Sequence, residues 1–249
     1  MNRRRLGAAL VGALAAALVL AGAGAALLQA EPTVYAAASL TRVFPKIDPG
    51  VAYEFAGSNT LALQIQQGAP ADVFVSASPK YVVQLQEKGL TAGRPAWFAA
   101  NALVLIVPRS NPARIRTPRD LVRRGVRLVI AAAGVPAGDF ARKSLVGMHL
   151  QAALANVVSN EADVEGVVAK VALGEADAGF VYASDAKAVA SKVKVVPLPR
   201  AGHYVAVYGA VVVRNAPHPS EARRFVARLL TKQAQAALRA AGFERAPGR

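Results

Sequence analysis

The chain has 249 residues, is 54% hydrophobic and contains no cysteine, which excludes a disulfide framework and a lipidated N-terminal cysteine. Thirty basic residues against 15 acidic ones leave a net +15; three arginines and no acids lie in residues 1–30, so the remainder carries +12. The positive charge is thinly spread, densest from Arg114-Ile115-Arg116 through Arg127 and at Arg223-Arg224-Phe225, which read as solvated faces; without an RNP motif, zinc finger or basic heptad, no nucleic-acid partner is expected.

Met1-Asn2-Arg3-Arg4-Arg5 precedes an uncharged run from Leu6 to Leu28 rich in Ala, Leu, Gly and Val. A basic start and an apolar run read as a signal peptide. The run is equally long enough to cross about 30 Å of hydrocarbon as an uncleaved N-terminal membrane anchor. Under either reading residues 1–30 export the rest to the periplasm or the outer face of the cytoplasmic membrane. The membrane is then touched only through that segment, if it is uncleaved.

Beyond it, apolar runs alternate with helical patterns. Thr33 to Ala38 reads as a strand, followed by a short helix from Ser39 that Pro45 should end. Asp48-Pro49-Gly50 turns into a second strand, Val51 to Ala56. A helix over Asn59 to Gln67 is closed by Gly68, and Asp72 to Ala77 is a third strand. Ser78-Pro79 opens another helix with serine at the cap and proline at the first helical position. Leu103 to Val107 is a strand, Thr117-Pro118-Arg119-Asp120 caps a short helix, and Val126 to Ala132 is a strand again. Helices start at Pro136 and Asp163, the latter with Val164, Val167, Val168 and Val171 at helical spacing. Ala178 to Tyr182, Lys194 to Pro197 and Ala206 to Val213 are strands, and two helices close the chain. Such alternation predicts an α/β fold with parallel sheets whose faces are covered. Proline-bearing stretches near Pro108–Pro112 and Pro197–Gly202 divide it into two lobes, 31–107 and 205–249 forming one and 108–204 the other.

Four strand-to-helix junctions stand out: Ala36-Ala37-Ala38-Ser39-Leu40, Gly57-Ser58-Asn59-Thr60-Leu61, Val135-Pro136-Ala137-Gly138 and Val181-Tyr182-Ala183-Ser184-Asp185. The first four N–H groups of a helix have no intrahelical acceptor, and the helix dipole adds about +0.5 charge there. Such ends hold anions without lysine or arginine. In an open α/β sheet they lie beyond the carboxyl ends of the strands, where ligands bind. Converging in a cleft between the lobes, they would make a neutral, donor-only cage for a small oxyanion.

These junctions, with Gly68-Ala69-Pro70-Ala71-Asp72-Val73-Phe74-Val75-Ser76-Ala77 and Gly179-Phe180-Val181-Tyr182-Ala183-Ser184-Asp185-Ala186, resemble the periplasmic molybdate-binding proteins of ABC importers. The resemblance runs from about Val34 to Gly242-Phe243 with motifs in matching order. It implies a two-lobed, type II periplasmic-binding-protein fold that captures molybdate or tungstate and delivers it to a membrane permease, as a monomer. The resemblance assigns ligand binding to Ser39, Ser58, Ala137, Val164 and Tyr182, the three hydroxyls donating directly and Ala137 and Val164 offering backbone N–H. Molybdenum would be held as its oxyanion through these residues, with no direct metal coordination and no cofactor. The family commonly shows a serine run where this chain has Gly57-Ser58-Asn59. Its stretch between the first two binding serines is also longer, so a truncated first helix is expected here.

Taken singly, Ser39, Ser58 and Ser184 are ordinary cap candidates, Tyr182 a half-buried aromatic with its hydroxyl at the rim, and Asp72 and Asp185 caps or interlobe tethers. His149, His203 and His218 lack metal-ligand spacing. No Gly-x-Ser-x-Gly elbow, no Ser-x-x-Lys near Ser39 or Ser58 and no phosphate-binding Gly-x-x-x-x-Gly-Lys occurs, so no catalytic residue is assigned. The alternative is a binding protein for another small anion such as sulfate.

Overall fold

Strands form where the apolar runs are, and a computed structural model describes them for residues 31–247; both readings of the N-terminal segment lie outside the described residues. β1 (Thr33–Ala37) pairs in parallel with β2 (Ala52–Ala56) on one side and β3 (Val73–Ser76) on the other. β9 (Val205–Val213) lies antiparallel beside β3, and the first part of the long β4 (Thr91–Pro108) runs antiparallel to β9. From Leu103 onward β4 changes partners, pairing with β7 (Ala178–Tyr182) on one edge and β8 (Val193–Val196) on the other, both antiparallel. β5 (Leu128–Ala131) lies parallel between β7 and β6 (Val157–Glu161). One group is therefore ordered β2-β1-β3-β9-β4 and the other β6-β5-β7-β4-β8, with β4 common to both.

The sheets are mixed, where the strand–helix alternation predicts parallel ones, because β4 and β9 run against their neighbours. β4 also extends twelve residues before the predicted Leu103: Gly93 and Pro95 in Thr91-Ala92-Gly93-Arg94-Pro95 read as loop formers, yet register shifts between Ala92 and Ala96 and between Trp97 and Ala99 absorb them within the strand. β6 escapes sequence reading because it is a half-exposed edge ending Ser159-Asn160-Glu161, with no continuous apolar run.

The eight α-helices are α1 (Phe44–Ile47), α2 (Ser58–Gln66), α3 (Pro79–Glu87), α4 (Pro136–Gly147), α5 (Val164–Ala172), α6 (Ala183–Ala188), α7 (Pro219–Arg228) and α8 (Lys232–Ala241), counted among the described residues. Pro45 does not end a helix begun at Ser39. A single 3-10 turn, Ala38–Leu40, follows β1, and Pro45 sits in the first turn of α1, where its missing N–H has no acceptor to lose. That short α1 is the truncated first helix. Gly68 closes α2 at φ +92°, and Ser78 Oγ caps α3 by accepting Lys80 N–H.

Helix stripes follow the sequence spacing. Val164, Val167, Val168 and Val171 of α5 are buried against β5 and β7, contributing about 1.5–3 kcal/mol each by removal from water. Phe44 meets Phe225 of α7 edge-on at 5.6 Å between ring centres, and Tyr208 meets Phe243 at 5.4 Å. Asp72 is fully buried and serves as a tether within one sheet group. Its carboxylate accepts Thr33 N–H at 2.8 Å, His218 N–H at 2.5 Å and contacts His218 Nδ1 at 3.0 Å. His203 contacts the Leu198 carbonyl through Nε2 at 2.7 Å.

Candidate functional site: a cavity without cations at five strand ends

β1, β2, β5, β6 and β7 each run at their carboxyl ends into a helical turn, and the five turns face one cavity of about 20 Å3. All five residues singled out by sequence line it: Ser39 after β1, Ser58 after β2, Ala137 after β5, Val164 after β6 and Tyr182 at the end of β7. None is more than 6% exposed. No lysine, arginine or histidine contributes to the lining. Asp163 is its one acid, and its Oδ1 is turned to accept Gly166 N–H at the start of α5.

The hydroxyls are held by neighbours in a way that leaves donors for a guest. Ser58 Oγ accepts Ala77 N–H at 3.1 Å, so its own hydrogen is available to the cavity. Ser39 Oγ lies 2.7 Å from Tyr208 Oη. With the phenol as donor, the serine hydrogen is available too. Asn101 fixes the next layer, donating from Nδ2 to Ser184 Oγ at 2.7 Å. Ser58 and Val164 open α2 and α5, and Ala137 is the second residue of α4, positions whose N–H groups no helical carbonyl accepts.

Tyr182 is 1% exposed, not half-buried at a rim, and its Oη has no hydrogen-bond partner among the described residues. Burial, then Tyr208, Asp185 and Asp139, push the phenol well above its ordinary range, so it stays a protonated donor. Burial, then Asp185, drives Tyr208 up as well. A buried hydroxyl left unpaired costs about 1–3 kcal/mol, and a guest with acceptors would recover it. Asn59 does not line the cavity; its Oδ1 is buried without a partner among the described residues.

Behind Tyr182, Asp185 Oδ2 accepts the Tyr182 N–H at 3.0 Å, which makes it the helix cap expected for that position. Burial, then the Glu165 charge, lift its pKa from 3.8 to about 8, against the opposing Tyr182 N–H, Arg42 and Ser184. The folded state then holds a proton that the unfolded chain releases near 3.8, so stability should fall as pH rises from about 4 to about 8. Asp185→Asn keeps an acceptor for Tyr182 and should flatten that decline. Denaturant midpoints at pH 5 and 8.5 for both proteins check it; equal slopes would contradict the assignment.

Sequence reasoning missed the residues that hold the hydroxyls, Ala77 and Tyr208, and the lining acid Asp163. Tyr208 carried a signal, as a lone hydroxyl inside the buried Val-Ala run of β9.

The profile of the bacterial extracellular solute-binding protein family matches residues 32–244. The chain belongs to that family. It is 41% identical over 221 residues to the molybdate-binding protein ModA of Mycobacterium tuberculosis H37Rv, covering 84% of this chain and 83% of the relative. Against ModA of Escherichia coli K12 the identity is 36% over 218 residues, covering 80% and 84% of the two chains. Among solved structures, the Azotobacter vinelandii periplasmic molybdate-binding protein superposes with TM-score 0.73 at 24% identity, over 86% of this chain and 98% of its own. The sulfate-binding protein SubI of M. tuberculosis superposes with TM-score 0.71 at 20% identity, over 88% of each chain. Both share the two-lobed solute-binding fold.

Proposed function

We propose that this solute-binding protein captures molybdate or tungstate through Ser39, Ser58, Ala137, Val164 and Tyr182 and delivers it to an ABC permease. One observation supports this above the others: five helical turns and a buried phenol, unpaired among the described residues, meet in a cavity that none of those residues lines with a cation. A tetrahedral dianion that is fully ionised at neutral pH needs donors only, and here it would meet buried amides and hydroxyls that water does not screen. A partly protonated phosphate also needs an acceptor for its own hydrogen. The role is binding and transfer without bond making, and the oxyanion is cargo, not cofactor.

Residues 31–107 with 205–249, and 108–204, would be the two lobes, supported by the switch of β4 from β9 to β7 at Leu103. The protein would act as a monomer outside the cytoplasmic membrane, exported or held there by residues 1–30.

Thermal melting tests the ligand class. Molybdate or tungstate at a hundredfold excess over Kd should stabilise the fold by about 2.7 kcal/mol. For a body of this size that raises Tm by roughly 5–10 °C. Phosphate at the same concentration should leave Tm unchanged. Stabilisation by sulfate in place of molybdate would favour the sulfate reading, and no response to either molybdate or tungstate would remove the proposal.

A further inference from the structure

Among the polar contacts that run from the β1–β3 side to the β5–β7 side, two reach a turn that carries one of the backbone donors. Arg42, three residues beyond Ser39, pairs through Nη1 with Glu165 Oε1, the residue after Val164. Tyr81, in the first turn of α3, donates its hydroxyl to the Gly134 carbonyl, three residues before Ala137. The Gly134 turn is itself tied down: Gly134 N–H is held by Asp139 Oδ1 at 2.8 Å, and Lys80 Nζ lies 4.0 Å from Asp139 Oδ2. Between the two contacts the sides approach backbone to backbone. A Cβ added at Gly57 would lie 2.8 Å from the Ala162 carbonyl oxygen, so no side chain fits there.

We propose that Arg42 and Tyr81 are positioning residues that clamp the Val164 and Ala137 turns over the cavity and so set how long the anion stays bound. The inference rests on the oxyanion reading above. Neither side chain lines the cavity, so neither touches the guest. Each instead fixes a turn whose N–H does. Because the clamps are made only when the two sides meet, their loss should act on dissociation, while the association rate is left near its original value.

The Arg42–Glu165 pair is partly exposed, with 42% and 24% of the side chains accessible, so its contribution is modest. Arg42→Gln should speed release of isotope-labelled molybdate into excess unlabelled molybdate by about two- to fivefold. Tyr81→Phe leaves the Gly134 carbonyl without its donor and should speed release by about five- to tenfold. The exchanged pair Arg42→Glu with Glu165→Arg should return the rate to within about twofold of the parent, which lost packing alone would not do. The chain has no cysteine, so Lys88→Cys and Lys143→Cys, both exposed, accept a spin-label pair reporting the separation of the two sides. In the Arg42→Gln, Tyr81→Phe double variant that distance should lengthen and broaden. Unchanged release rates, or a label distance identical to the parent's, would overturn the clamp. If the parent protein takes up no molybdate, the oxyanion reading fails, and the label distances still decide the clamp.

Discussion

Tyr182→Phe should make the anion-free protein more stable while weakening its hold on molybdate. The phenol is buried and its Oη has no partner among the described residues, so removing the oxygen removes an unsatisfied polar atom. Relief of about 1–3 kcal/mol corresponds to a rise in Tm of several degrees. The same deletion takes one donor from a bound dianion, and hydrogen bonds to charged groups contribute roughly 1.5–3 kcal/mol, or about a tenfold to hundredfold loss of affinity. Ser58→Ala should lose a similar factor in affinity but move stability the other way, because Ala77 N–H then loses its acceptor. Calorimetric titration with molybdate and melting without it separate the two effects. A Tyr182→Phe protein that binds molybdate as tightly as the parent would take the phenol out of the site.

Gly138→Ala should be the most damaging single methyl in the cleft. A Cβ there would stand 2.2 Å from the carbonyl oxygens of both Ala131 and Ala132, backbone atoms that cannot rotate away. β5 and the first turn of α4 approach this closely because Ala137 must be delivered just past the strand end. Overpacking against a fixed wall costs 1–3 kcal/mol or more, and here the upper end, about 3 kcal/mol, is expected, lowering Tm by roughly 10 °C. Molybdate affinity should fall with it, since the Ala137 N–H is displaced. Ala137→Gly is the matched comparison: its backbone donor survives and only helix propensity suffers, by about 1 kcal/mol. Urea unfolding and molybdate titration of both variants decide it. Equal losses in the two would mean that the turn is not packed as described.

The sequence by itself determined most of the element order and the α/β class, and its resemblance to a known family pointed to the five residues proposed as donors. The order and the class rest on local chemistry: apolar runs of strand length, caps such as Ser78-Pro79 and valines spaced along α5. The resemblance led to a truncated first helix, but the sequence misplaced it at Ser39 rather than Phe44–Ile47. Local rules failed where a distant partner overrode them. Gly93 and Pro95 mark a loop until β9 pairs alongside and bulges absorb them, and the polar edge β6 exists only because β5 offers it a ladder. Pro45 reads as a helix stop, yet with Leu40 and Phe44 packed in the core it sits in the first turn of α1. Only the tertiary structure decided that the five turns share one cavity, that Tyr208 and Ala77 contact the serines, that Tyr182 is buried without a partner among the described residues, and that Arg42 and Tyr81 reach across. Those facts depend on residues far apart in the chain, brought together by strand pairing that no local pattern encodes.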